Sequence, residues 1–175
     1  LKRTLFEWAV RQGNAVSQRR LEGSRAMLDS VRWFLADFIV FRPLQEKLGL
    51  RRCRVPISGA APISPELLKW FHGIGIPILE GFGQTECAGV SHLNPPHAPR
   101  IGTVGQALPA VECRLAEDGE LLVRGPNVFR GYLHDPEATE RTVDGGGWLH
   151  TGDIGTIDDD GYLRITGRKK EIIIT

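Results

Sequence analysis

The stretch Arg54–Glu86, RVPISGAAPISPELLKWFHGIGIPILEGFGQTE, decides the fold. Arg54–Ser58 reads as a short buried strand running into the small-residue loop Gly59-Ala60-Ala61-Pro62. Ser64 is placed to cap a helix, because its hydroxyl can accept an otherwise orphaned N–H of the first turn. Pro65 suits the first helical position, where no N–H is needed. Glu66 to Phe71 carry the helix on, and Gly73 and Gly75 end it. Ile76–Leu79 reads as a second strand entering the loop Glu80-Gly81-Phe82-Gly83-Gln84-Thr85-Glu86. Strand, loop, helix, strand, loop is α/β order. Sheets of that class place ligands just beyond the carboxyl ends of their strands.

Upstream, residues 1–20 predict a helix, since Leu5, Trp8, Ala9 and Val16 recur at helical intervals, with Gly13-Asn14 weakening it locally. Residues 30–48 predict more helix, with Phe34, Phe38, Phe41, Leu44 and Leu48 three or four apart. Pro43 demands a break or a first-turn position there, and Gly49 is a C-terminal stop. Downstream, Pro95, Pro96 and Pro99 interrupt the chain, and short strands follow. Val111–Leu115 and Glu120–Arg124 flank Glu117-Asp118-Gly119, a hairpin signal. Ile154–Ile157 and Tyr162–Ile165 flank Asp158-Asp159-Asp160-Gly161, another. Glu171–Thr175 reads as an apolar strand that would leave an unpaired edge. The fold class is therefore α/β, with an α/β subdomain over residues 1–98, a small β-rich one over 99–166, and a final segment at 167–175.

Composition excludes several classes. The chain has 175 residues, 41% hydrophobic and 25% charged, which is globular rather than disordered or fibrous. No apolar run approaches the roughly 18 residues of a membrane-spanning helix. Cys53, Cys87 and Cys113 are odd in number and far apart, so neither a disulfide framework nor a zinc site is expected. A reducing, cytoplasmic compartment fits best. Residues 1–54 carry 12 basic and 5 acidic side chains, or +7, leaving −6 for the remainder of a chain whose net charge is +1. A basic first third can attract nucleic acid or phosphorylated ligands. Without interleaved aromatics it reads better as a solvated helical face, and no nucleic-acid partner is expected.

Four places carry chemistry. In Gly81–Glu86, Phe82 offers a flat face for a base, Thr85 a hydroxyl for a phosphate oxygen, and Glu86 a hard oxygen for Mg²⁺. A plain turn explains the same residues. Gly59–Pro62 leaves room for a planar ring beyond a strand, or is simply a close-packed turn. Thr151-Gly152-Asp153 puts a carboxylate just past a tight turn, where it can accept two ribose hydroxyls or be an ordinary turn Asp. Gly167-Arg168-Lys169-Lys170 supplies cations, and the planar fork of Arg168 suits phosphate or ribose oxygens. The five His are dispersed and no nucleophile elbow is present, so metal-hydrolase and triad chemistry are not expected.

The order of these four pieces resembles the adenylate-forming superfamily, and within it the long-chain fatty acyl-CoA synthetases. Ser58–Leu67, Ile78–Glu86, Gly167–Thr175 and the upstream Phe6-Glu7-Trp8-Ala9-Val10 carry the likeness. The resemblance implies part of the family's large domain, an α/β subdomain followed by a distorted β-barrel. It implies that Ala60, Ala61 and Pro62 border the adenine, with Glu80, Gly81 and Gly83 in the same region and Phe82 stacking on the base. Thr85 would bond phosphate, Glu86 would hold Mg²⁺, Asp153 would bind the ribose hydroxyls, and Arg168 would reach ribose or phosphate oxygens. Lys170 would mark the hinge to a C-terminal domain.

The implied substrates are ATP, a fatty acid and coenzyme A, with AMP and pyrophosphate released. Gly81, Gly83 and Gly89 are the candidate lining of an acyl pocket. Because fatty acids partition into bilayers, peripheral membrane contact is an open expectation. The family's phosphate loop would precede this segment and its catalytic Lys would follow it, so the 175 residues alone are expected to be inactive. Two alternatives stay open: activation of another acid, aryl or medium-chain, and a non-catalytic nucleotide-binding module.

Overall fold

The computed structural model describes residues 2–21 and 27–169. Lys170 and the expected strand Glu171–Thr175 lie outside the described residues. Contacts divide the chain into two compact units, residues 1–79 with 96–101 and residues 80–95 with 102–175. This is not the sequence boundary at 98/99. Residues 80–95 belong with the β-rich part because backbone pairing ties them there, as described below.

The first unit is mostly helical. Helix α1 (Lys2–Leu21) is continuous through Gly13, where a weakening was expected. The reason is a close crossing: a Cβ on Gly13 would lie 2.3 Å from the carbonyl oxygen of Gly73. Glycine there lets α1 rest on helix α4 (Pro65–Gly73). Helix α2 (Met27–Ala36) passes into a π-helical turn, Asp37–Phe41, and then helix α3 (Arg42–Lys47). Pro43 sits in the first turn of α3, the one place a helix tolerates it. Arg42 Nε donates to the buried Asp37 carboxylate at 2.9 Å, and Gln45 Nε2 to Ile74 O at 2.7 Å. Ala9, Ala36, Phe41, Ile74 and Ile76 form the core. Ser64 caps α4 as expected, its Oγ accepting from Leu67 N at 3.2 Å.

The expected strand Arg54–Ser58 shrinks to β1 (Ile57–Ser58), and the expected strand Ile76–Leu79 moves three residues on, to β2 (Leu79–Phe82). Pro77 cannot donate to a ladder, whereas Gly81 and Phe82 find antiparallel partners in Leu93 and His92 of β3 (His92–Leu93). Glu80-Gly81-Phe82 is thus strand rather than loop.

In the second unit β3 also pairs with β4 (Gln106–Ala107). Strands β5 (Glu112–Leu115), β6 (Glu120–Arg124), β7 (Leu149–Ile157) and β8 (Leu163–Arg168) form an antiparallel sheet in that order. Both expected hairpins occur, β5–β6 and β7–β8. Val104 N donates to Leu163 O and Leu163 N to Gly105 O, each at 2.8 Å, joining the β4 approach to β8. A Cβ on Gly105 would fall 2.0 Å from the backbone of Leu93, so only glycine fits there. Cys87, Leu121, Val123, Leu149 and Leu163 form this unit's core, with Phe82 packed against it. Helix α5 (Pro136–Thr142), absent from the sequence expectation, is capped by Asp135, whose Oδ1 accepts from Ala138 N at 2.9 Å.

Candidate nucleotide site

Thr151-Gly152-Asp153 was expected just past a turn. It lies inside β7, because residues 149–157 pair with β6 on one side and β8 on the other. Gly152 keeps the turn-like conformation that suggested otherwise, with φ +72°, and the ladder is irregular beside it, between Glu120 and Leu122. Asp153 is buried, at 6% exposure. Its cross-strand partner on β8 is Arg168, and Arg168 Nε donates to Asp153 Oδ1 at 2.9 Å. The structure thus brings together two residues that sequence could only name separately. Arg168 is the last residue of β8. A carboxylate offers about four acceptor positions, so one bond from Arg168 leaves chemical capacity for hydroxyl donors.

Neighbouring groups fix this pair. Thr151 Oγ1 donates to Leu121 O at 2.8 Å and accepts from Asp153 N at 3.1 Å. Glu120, 4% exposed, accepts from Gly152 N at 2.9 Å through one oxygen. Its other oxygen accepts from Lys169 Nζ at 3.0 Å and lies 3.3 Å from His150 Nδ1. Burial pushes the Glu120 carboxyl upward, but Lys169, the Gly152 N–H and His150 outweigh it and hold it below the usual range. Lys169 also pairs with Asp118, which is likewise lowered. The sequence reading missed Glu120: a glutamate in an apolar strand after a hairpin signals nothing until the register is known.

Phe82 meets His92 edge-on, ring centroids 6.2 Å apart at 62°. His92 is wholly buried, its Nδ1 3.0 Å from Ser91 Oγ, and desolvation lowers its pKa to about 4. Gly83 lies close against protein backbone: a Cβ there would lie 2.1 Å from Gly89 O. Gly81 is held by pairing with Leu93. Glu80 Oε2 accepts from Gly102 N at 3.0 Å, and burial raises its carboxyl above the ordinary value.

Thr85 is exposed and opens a 3₁₀ turn, Thr85–Cys87. Cys87 closes that turn, its buried sulfur accepting from Gln84 N at 3.2 Å. Glu86 Oε1 accepts from Tyr132 OH at 2.6 Å, a bond that raises the Tyr132 pKa. Tyr132 was a further residue the sequence reading passed over, 46 positions away.

Ala60, Ala61 and Pro62 belong to the first unit and are exposed. Ala60 holds φ +66°, a left-handed conformation uncommon for alanine and a mark of a constrained loop. Lys170 lies outside the described residues. Among the described residues no group of three His, Cys, Asp or Glu could hold a metal, so Glu86 supplies one carboxylate only. One carboxylate completed by substrate phosphates is the environment Mg²⁺ usually takes in nucleotide enzymes, and Glu86 fits it.

A model of the AMP-binding enzyme family matches residues 5–133. A Mycobacterium tuberculosis protein named as a fatty-acid–CoA ligase, FadD11, is 46% identical over 99% of this chain and 31% of its own. The long-chain-fatty-acid–CoA ligase FadD15 of the same organism is 42% identical over 87% of this chain and 25% of its own. MatB from Rhodopseudomonas palustris, solved with ATP bound, superposes with a TM-score of 0.62 at 38% identity, over 70% of this chain and 27% of its own. The chain therefore spans a third or less of the length of these relatives. With a family model covering most of its length, the chain belongs to the AMP-binding enzyme family, and its α/β architecture is that of part of the large domain of adenylate-forming enzymes.

Proposed function

We propose that these residues form the nucleotide-recognition part of an ATP-dependent long-chain fatty acid–CoA ligase. The observation that carries the reading is the buried Asp153 carboxylate paired across β7 and β8 with Arg168. In this reading Asp153 accepts the ribose hydroxyls, and Arg168 reaches ribose or phosphate oxygens. Phe82 presents its ring to adenine beside Glu80 and Gly81. Thr85 donates to phosphate, and Lys170 marks the hinge.

The fatty carboxylate attacks the α-phosphorus of ATP. A carboxylate oxygen–phosphorus bond forms, the bond to the pyrophosphate oxygen breaks, and an acyl-adenylate results. The coenzyme A thiolate then attacks the acyl carbon and AMP leaves, its phosphate oxygen taking the electron pair. Protein groups act here by alignment, since holding carboxylate and α-phosphate in line removes much of the entropic barrier. Mg²⁺ held by Glu86 would offset charge on the phosphates. Tyr132, bonded to Glu86 Oε1, orients that carboxylate.

The fatty-acid assignment follows the names of FadD11 and FadD15, the long-chain assignment the name of FadD15, and the ATP assignment the ligand in MatB. ATP–pyrophosphate exchange by the complete protein, across acids from acetate to palmitate and benzoate, tests it. Exchange greatest with long-chain acids is expected. Exchange with aryl acids alone would replace the substrate class, and none with any acid would overturn the ligase reading.

A further inference from the structure

Glu120 links the two strands that carry the proposed ribose-binding pair, at the position next to each member. Its Oε1 accepts from Gly152 N, immediately before Asp153, at 2.9 Å. Its Oε2 accepts from Lys169 Nζ, immediately after Arg168, at 3.0 Å. One carboxylate, on β6, therefore fixes the residue beside Asp153 on β7 and the residue beside Arg168 at the end of β8.

The brace acts where the β6–β7 ladder is irregular, between Glu120 and Leu122, opposite Thr151–Asp153; Asp153 and Arg168 are themselves paired across β7 and β8, near a second irregularity between Ile154 and Gly155. Gly152 adopts φ +72° at this irregularity, where a Cβ would meet nothing within 4 Å, and its N–H is held by Glu120 Oε1. The Glu120 side chain is 6% exposed, and its backbone N–H is itself held by Asp118 Oδ1 at 3.1 Å. His150, 3.3 Å from the same Oε2, completes the surround.

We propose that Glu120 is a positioning residue for nucleotide recognition: it holds Gly152 and Lys169 so that Asp153 and Arg168 present one ribose-recognising arrangement. The inference rests on the ribose reading of Asp153, and the test separates the two. Steady-state exchange kinetics of the complete protein are measured with ATP, 2′-deoxy-ATP and 3′-deoxy-ATP, for wild type, E120A, E120Q and K169M. A hydroxyl bonded to a carboxylate is worth roughly tenfold or more in kcat/KM, so wild type is expected to favour ATP by at least about tenfold over one analogue.

In E120A that ratio is expected to fall below about threefold while KM for the fatty acid stays within about twofold. E120Q keeps an oxygen for Gly152 but loses the charge facing Lys169. It and K169M are expected to give intermediate ratios, and E120Q decides the matter should E120A not fold. A brace that served only sheet stability would lower the activity with all three nucleotides alike. Unchanged ratios in E120A, or in E120Q where E120A does not fold, would overturn the role of Glu120 and leave the ribose reading standing. A wild type indifferent to both analogues would overturn the ribose reading and this inference together.

Discussion

In the helical unit the buried carboxylate of Asp37 is held by Arg42, five residues on in the same run of helix. In the sheet unit the buried carboxylates of Glu120 and Asp153 are held across strands, by Lys169 and Arg168, 49 and 15 residues away. The apolar surfaces differ too. Val31, Phe34, Phe38 and Ile39 of the helical unit are 49–61% exposed, whereas Leu121, Val123, Leu149 and Leu163 of the sheet unit are fully buried. Local polar bonds fix a helix but carry little tertiary information. Long-range ones pin a specific arrangement: Gln45 on Ile74 O, 29 residues away, in the helical unit, and Glu120 with Lys169 and Asp153 with Arg168 at the candidate site.

That contrast can be broken at its strongest point first. Asp153→Ala removes the proposed acceptor of the ribose hydroxyls, so kcat/KM of the complete protein for ATP in exchange should fall about a hundredfold or more, with the melting temperature measured alongside. A loss below threefold would move the nucleotide elsewhere. Leu149→Ala, in the closed core, should cost about 2–5 kcal/mol in urea unfolding. Phe38→Ala, on the exposed helical face, should change stability by no more than about 0.5 kcal/mol. Equal costs would erase the contrast between the two surfaces.

His92 sharpens the comparison through pH. Its folded pKa is about 4 against a usual 6.5, so the unfolded chain takes up a proton first as pH falls. Stability should be complete above pH 6.5, decline between 6.5 and 4, and have lost about 3 kcal/mol by pH 4. Asp118 and Glu120, both lowered, add their losses only below the ordinary carboxylate range. The wild-type curve minus that of His92→Leu isolates the imidazole, and parallel curves would contradict its burial as a neutral group. Gly13→Ala puts a methyl 2.3 Å from Gly73 O and should cost about 1–3 kcal/mol by separating α1 from α4.

Much of the scaffold was legible because its signals are local. The Ser64-Pro65 start of α4, the Asp118-Gly119 and Asp160-Gly161 hairpins and the periodicity of α1 each depend on a few adjacent residues. Failures came where a distant partner decides. Gly13 looks like a helix weakness until the Gly73 backbone is seen against it. Thr151-Gly152-Asp153 looks like a turn because Gly152 has a turn's φ, yet strands on both sides capture it. The candidate site divides in the same way. Asp153 and Arg168 could be named from motif resemblance, but their 2.9 Å pairing, the Glu120 brace and the Tyr132–Glu86 bond depend on strand register and loop closure.

The most direct measurement is a crystal structure of the complete protein with AMP bound. The account predicts both ribose hydroxyls within hydrogen-bonding distance of the Asp153 carboxylate and adenine against the Phe82 ring. An ordered AMP whose ribose lies away from Asp153 would contradict it.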